Sequence, residues 1–247
     1  MSKEKTGSEE SMRLNKFLSN SGIATRREAD DLIKKGLVKI NNEVVREMGI
    51  QVKRSDEVQF KDETLEWPYK PVYILLNKPK DTLTEGESSQ YKTVLQFVKN
   101  IEAENLFAAE QMETADLGLL LITNDKNLAK KITNPELKLR KIYLLELNRA
   151  LSEEDFNLLK NGVELDEGNC KVEEIAFPDE EDHTKVGIEL WDNQKDLIKK
   201  IFENLSYKIM KLDRTLYGNL TKKDLPRGKW RFLNDKEVMA LKRLISA

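Results

Sequence analysis

Three short apolar runs limit the folds open to this chain more than any other feature. The first is VYILLNKPK, in which Tyr73 to Leu76 are apolar and Pro79 closes the run; the others are GLLLITND at 118–125 and KIYLLEL at 141–147. None approaches the roughly 20 residues needed to cross a bilayer. Continuous apolar runs this short, stopped by turn residues, predict strands buried on both faces. Helical patterns follow them. LSEEDFNLLKNG at 151–162 has Ser152 placed as an N-cap, acids in its first turn and Gly162 beyond its end. QKDLIKKIFENLS at 194–206 would bury Leu197, Ile198, Ile201, Phe202 and Leu205, and DKEVMALKRLI forms a last amphipathic helix. Strands and helices in this order predict an α+β domain with a mixed sheet and flanking helices.

The N-terminal part reads as a separate, smaller α+β unit. Leu14, Phe17 and Leu18 repeat at helical spacing. Thr25 stands three residues before Glu28, the capping-box spacing at which each side chain satisfies a free backbone N–H. Ala29, Leu32 and Ile33 give the next helix its apolar stripe, and Gly36 is placed to end it. Val38, Ile40, Val44 and Val45 flank Asn41-Asn42, a pair suited to a tight hairpin turn. Arg13, Lys16, Arg26, Arg27, Lys34 and Lys35 fall mostly off the apolar stripes, where they could meet a phosphate backbone or simply face water.

Composition removes several function classes. With one cysteine, Cys170, the chain has no intramolecular disulfide and no CxxC metal site. With one histidine, His183, inside the acidic run DEEDH, a His-rich metal site or a Ser-His-Asp triad lacks material. No metal site is expected. The polar start MSKEKTGSEES lacks the apolar core of a signal peptide, so residues 1–11 are expected to be a disordered tail on a cytoplasmic, non-membrane protein. The net charge of −2 hides segregation. Residues 12–60 carry ten basic and seven acidic side chains, residues 150–182 two and twelve, and residues 207–231 eight and two. A basic face can attract phosphates on an acidic chain if its cations share that face.

The run RLNKFLSNSGIATRREADDLIKKGLVKINNEVV resembles the S4 RNA-binding domain over about residues 12–60. The segments YILLNKPK, TADLGLLLITNDKNLA, RKIYLLEL and LDRTLYGNLTKKDLPRGKWRFL resemble, in that order, the catalytic domain of the S4-bearing pseudouridine synthases that modify ribosomal RNA. The expected organisation is therefore a tail at 1–11, an S4 domain at 12–60, a linker at 61–71 containing EWPYKP, and a synthase-like domain at 72–247. The resemblance implies isomerisation of a uridine extruded into a pocket. It implies ribosomal RNA or a pre-ribosomal particle as partner, no metal or small-molecule cofactor, and a monomer.

The resemblance also implies a site made of an aspartate, a basic partner for it, and a tyrosine against the base. Registered on Gly118–Asp125, the aspartate position is Glu113, preceded by Gln111 in place of an arginine and followed by Ala115-Asp116 in place of an aspartate-threonine pair. The position of the basic partner is Lys199, with Asp196 and Leu197 replacing an arginine and a glutamine, while Tyr143 is retained. Glutamate extends the carboxylate by about 1.5 Å, and a misplacement of about 1 Å can cost on the order of a hundredfold in rate. Lysine keeps the charge but lacks the planar fork of arginine. These departures leave two readings open and tip the balance towards the second. Either Glu113 and Lys199 have co-adjusted in a working synthase, or the pocket is impaired and the chain serves as an RNA- or ribosome-binding factor. A third reading makes the acidic 150–182 stretch the surface of a protein-binding adaptor.

Overall fold

The computed structural model describes residues 11–68, 71–165, 168–191 and 197–245. The chain divides into two compact units, residues 1–70 and 71–247. Of the residues expected to form a tail, 1–11, the first ten lie outside the described residues, and Ser11 belongs to a strand.

In the first unit the elements run β1 (Ser11–Arg13), α1 (Leu14–Asn20), α2 (Arg26–Lys34), β2 (Val38–Ile40), β3 (Glu43–Val45), β4 (Gln51–Lys53), β5 (Val58–Phe60) and β6 (Glu63–Leu65). β1 pairs with β4, and a second sheet has the order β3-β2-β5-β6. The capping box forms as its spacing predicts, with Thr25 Oγ1 accepting from Glu28 N–H and the Glu28 carboxylate accepting from Thr25 N–H. Asn41 and Asn42 both take positive φ, 51° and 70°, and turn β2 into β3. Leu14, Phe17, Leu18, Ala29 and Ile33 pack with Val38, Val52 and Val58 into one core. The expected linker, 61–71, is largely part of this unit. β6 pairs with β5, and Trp67 meets the Phe17 ring edge-on at 5.4 Å. The proline-flanked segment expected to be a linker is held to this core by the half-buried Trp67 against Phe17. Tyr69 and Lys70 lie outside the described residues.

The second unit is built on a nine-stranded sheet. Its elements are β7 (Tyr73–Lys78), β8 (Thr82–Leu83), β9 (Lys92–Thr93), β10 (Phe107–Ala108), β11 (Leu117–Thr123), α3 (Lys126–Ile132), β12 (Lys141–Leu147), α4 (Glu153–Asn161), β13 (Val163–Leu165), β14 (Gly168–Cys170), β15 (Glu174–Ala176), β16 (Lys185–Leu190), α5 (Leu197–Asn204), β17 (Ile209–Tyr217), β18 (Leu220–Thr221), β19 (Trp230–Phe232) and α6 (Asp235–Leu244). The main path is β15-β16-β12-β17-β11-β7-β19. The three apolar runs are β7, β11 and β12. β7 and β11 are buried along their whole length because side chains on both faces are covered. Ile74, Leu76, Leu120 and Ile122 enter one core, and Leu75, Leu119 and Leu121 the other.

Three features of this sheet shape the site. β11 and β17 run parallel, with Gly118 opposite Arg214. A Cβ at Gly118 would sit 2.2 Å from the Arg214 carbonyl oxygen, and φ there is +105°, so only glycine permits this approach. The Lys141–Leu147 strand packs, with β16, against α5, whose Leu197, Ile198, Ile201 and Phe202 are buried as the periodicity predicts. Residues 194–196 of that expected helix, including Asp196, lie outside the described residues. Asp213 on β17 is buried and ties down the DLPRG segment, accepting from Lys222 at 2.8 Å and from Arg227 at 2.5 Å. Among the described residues no helix is long and apolar enough to cross a membrane.

Candidate active site

A cavity of about 390 Å³ opens in the second unit between the 110–117 segment, β12, β17 and the start of α5. Glu113, Tyr143 and Lys199 all line it, together with Asp116. The carboxylate of Glu113 lies 2.6 Å from Lys199 Nζ. The same ammonium is 3.3 Å from Asp116 Oδ1. The two acids differ in access: the Glu113 side chain is 59% exposed and that of Asp116 15%. Burial works to lower the Lys199 ammonium, but its hydrogen bond to Glu113 and the charge of Asp116 outweigh it and hold the pKa above the ordinary value. Burial pushes the Tyr143 phenol up, so it stays protonated at neutral pH.

The segment carrying the carboxylates is fixed by one buried cation. Lys78, at the end of β7, is fully buried and its ammonium donates to the carbonyls of Glu113 at 2.8 Å and Asp116 at 2.8 Å, with longer bonds to those of Thr114 and Pro79. The turn is closed locally as well. Asp116 N–H donates to the Glu113 carbonyl at 3.1 Å, and Glu113 N–H donates to Asp116 Oδ2 at 3.1 Å. Burial pushes the Lys78 ammonium down to about 8, against the pull of the Asp116 and Asp81 carboxylates. Gln111, in the place of an arginine, hydrogen-bonds Glu85 at the surface.

Below this turn lies a second set of charges. Glu110 Oε2 accepts from Arg214 Nη1 at 2.6 Å, and its Oε1 accepts from Lys141 Nζ at 2.9 Å. All three side chains are nine-tenths buried and touch the cavity. Burial alone would raise the Glu110 carboxyl, but Arg214 and Lys141 outweigh it and hold it below the usual range. Glu110 lies in none of the segments singled out in the sequence, and Lys78 only within YILLNKPK, with no signal of its own. Each looks like one more charged residue until the fold brings its partners to it. Arg214 and Lys141 sit within the LDRTLYG and RKIYLLEL segments already noted, which was their only signal.

The profile of the RNA pseudouridylate synthase family matches residues 72–222, and that of the S4 domain residues 12–58. The chain belongs to the S4-bearing RNA pseudouridine synthases. An RNA pseudouridine synthase of Aquifex aeolicus, itself described as uncharacterized, is 35% identical over 93% of this chain and 93% of its own length. Ribosomal large subunit pseudouridine synthase B of Bacillus subtilis is 30% identical, covering 94% of this chain and 96% of its own. Ribosomal small subunit pseudouridine synthase A of Haemophilus influenzae is 29% identical over 93% and 99%. A crystal structure of a pseudouridylate synthase superposes with a TM-score of 0.64 at 29% identity, over 93% of this chain and 99% of that one.

The first unit of this family member presents all six basic residues singled out in the sequence. Arg13, Lys16, Arg26, Arg27, Lys34 and Lys35 are exposed, off the stripes that bury Leu14, Phe17, Leu18, Ala29 and Ile33. The basic 207–231 stretch is different. Arg214, Lys222, Arg227 and Arg231 are engaged with Glu110, Asp213 and Glu237, so half of its cations serve the fold. His183 stacks on Phe177 with ring centroids 4.0 Å apart. Among the described residues no group of three or more His, Cys, Asp or Glu side chains could hold a metal ion.

Proposed function

We propose that the protein isomerises uridine to pseudouridine in ribosomal RNA, with Glu113 as the catalytic carboxylate, Lys199 as its charge partner and Tyr143 as the ring set against the base. In this reaction the N1–C1′ bond breaks and a C5–C1′ bond forms. A proton leaves C5 and one is gained at N1, so atoms and electrons balance without an oxidant, reductant or co-reactant. The exposed cations of the first unit hold the RNA through its backbone, a mode that recognises shape more than base sequence. The 2.6 Å pairing of Glu113 with Lys199 on a cavity shared with Tyr143 carries this reading. It supports co-adjustment of the two changed residues: the longer acid and the lysine meet at hydrogen-bond distance. The cavity volume is within the roughly 300–1,000 Å³ of small-molecule pockets.

The named relatives act on the large subunit in one case and the small subunit in another, so both RNAs belong in the test. Unmodified transcripts of each would be incubated with the protein and pseudouridine mapped. Product that disappears in Glu113→Gln supports the assignment, and Asp116→Asn in the same assay separates the two carboxylates on Lys199. RNA binding without product on either transcript would replace this reading with that of an RNA- or ribosome-binding factor.

A further inference from the structure

Lys199 faces two carboxylates, and the reaction assigned to Glu113 leaves the second unexplained. The ammonium lies 2.6 Å from Glu113 Oε1 and 3.3 Å from Asp116 Oδ1. The two acids are held very differently. The long Glu113 side chain is 59% exposed and is tied to Lys199 at its tip. The shorter Asp116 side chain is 15% exposed, and its Oδ2 accepts from Glu113 N–H at 3.1 Å. The Asp116 backbone is fixed as well. Its N–H donates to the Glu113 carbonyl, its own carbonyl accepts from the buried Lys78 ammonium at 2.8 Å, and the next residue, Leu117, opens β11. One carboxylate therefore spans the turn through Oδ2 and the cation through Oδ1.

A lysine is a compact charge on a flexible four-carbon stem, and its three donors can meet more than one acceptor. A single contact fixes such a cation poorly. The planar fork of an arginine would engage one carboxylate at two points. Here the second point of contact comes from a second carboxylate. The Lys199 side chain is only 23% exposed, so an ammonium left without a partner would be costly to keep in place.

On the reading of this site as a uridine isomerase, we propose that Asp116 is a positioning residue that holds Lys199 in place while Glu113 is engaged with the uridine. When the Glu113 carboxylate turns from the ammonium into the cavity, Asp116 stays behind, because the turn and the start of β11 fix it. Lys199 then keeps one anionic partner throughout the cycle and is in place to receive Glu113 again. Asp116 acts through Lys199 and takes no bond from the base or the sugar. A side chain serving only to close the 113–116 turn would need Oδ2 alone. Asparagine would then replace it, since its carbonyl oxygen accepts the same N–H. Asp116→Asn therefore separates the charge from the turn.

Two measurements on the full-length protein test this, with the fold of each variant checked by thermal melting. The first needs no turnover. Isotope-labelled lysine ammonium groups are followed by NMR at mildly acidic pH, where an ammonium held by a carboxylate exchanges slowly enough to be seen. Lys199 is the signal missing from Lys199→Arg. It should persist in Glu113→Ala, which takes away the nearer carboxylate, and vanish when Asp116→Asn is added. Absence of the signal from the unaltered protein, its loss in Glu113→Ala alone, or its persistence in the double variant overturns the proposal. The second measurement is turnover on ribosomal RNA transcripts. Asp116→Asn should lower kcat at least about tenfold, part of the roughly hundredfold that a misplacement of about 1 Å can cost. KM should stay within about twofold. In a Lys199→Arg background the same substitution should cost less than about threefold, because the guanidinium fork engages Glu113 at two points. A loss equal in both backgrounds, or absent from both, also overturns the proposal and leaves the isomerase reading standing. The expected NMR result without any pseudouridine on either transcript keeps the anchor and removes the isomerase reading. Failure of both measurements removes both.

Discussion

Glu110 and Glu113 lie three residues apart and line the same cavity, yet their surroundings differ completely. The Glu113 side chain is 59% exposed and meets one ammonium that it shares with Asp116. The Glu110 side chain is 9% exposed and is held between two cations that are themselves buried. An exposed ion pair is worth about 0–1 kcal/mol to the fold, because water screens it and two long side chains must be ordered. A buried charge that loses its partner costs about 3–5 kcal/mol. One acid can therefore be altered at little structural cost, and the other cannot. The contrast separates a group free to do chemistry from one committed to a fixed electrostatic floor.

The sharpest way to break this comparison is Glu113→Gln. Pseudouridine formation on ribosomal RNA should fall by at least about a thousandfold, the scale of removing a central catalytic group. Unfolding in urea should shift by no more than about 1 kcal/mol. A large loss of stability would show that the exposed acid also carries the fold.

Arg214→Met should do the reverse. It keeps an unbranched apolar chain near the Tyr217 ring but leaves Glu110 with Lys141 alone. Unfolding free energy should fall by about 3–5 kcal/mol in a urea titration. A shift below about 1 kcal/mol would place Glu110 with the surface acids. Two pKa directions give an independent check. The Glu110 and Asp213 carboxyls are both held low by their cationic partners, so their contribution to stability is present above the ordinary carboxylate range and lost as pH falls through the depressed values.

How much of this could be read from the sequence follows the same division. β7 and β11 were legible because burial on both faces leaves an uninterrupted apolar run, whereas β12, half-buried through Ile142–Leu144 and exposed at Glu146, was legible only from its shorter apolar stretch. The capping box at Thr25 and the cap at Ser152 were legible because their partners are three residues away. Glu113, Tyr143 and Lys199 were reachable through family resemblance alone, since nothing local marks an exposed glutamate as special. Glu110 was not legible at all. Its partners are 31 and 104 residues away, and in a chain that is 35% charged it looks like a surface acid. Trp67 misled for a related reason: its proline neighbour suggested a linker, while its partner, Phe17, lies fifty residues earlier.

A smaller effect is expected from Lys78, which links the buried sheet to the exposed carboxylate. Its ammonium, pushed down to about 8 by burial, grips the carbonyls of Glu113 and Asp116. Raising the pH through 8 removes a proton and at least one donor from that grip, so activity should fall by about tenfold per pH unit above it if the charged form is required. Stability should not fall with it. A lysine whose folded value lies below its unfolded value disfavours the fold most at low pH, and that penalty eases as pH rises from 8 towards the ordinary value near 10.4. An alkaline loss of rate without loss of stability would mark Lys78 as positioning the turn. Coincident losses would place the effect in global unfolding.

Lys199→Arg should give the smallest change. Glu113 is exposed and has a torsion more than aspartate, so its carboxylate can rotate to meet a guanidinium fork. Arg also keeps the charge that both Glu113 and Asp116 face. Turnover should stay within about fivefold of the unaltered protein, with a stability change under about 1 kcal/mol. Pairing it with Glu113→Asp shortens the acid while widening the cation. If the single and double variants are equally active, the rim tolerates either acid–cation combination, and the floor beneath supplies the fixed geometry. If only the double variant is active, or only the unaltered pair, then the rim is as tightly specified as the floor, despite its exposure.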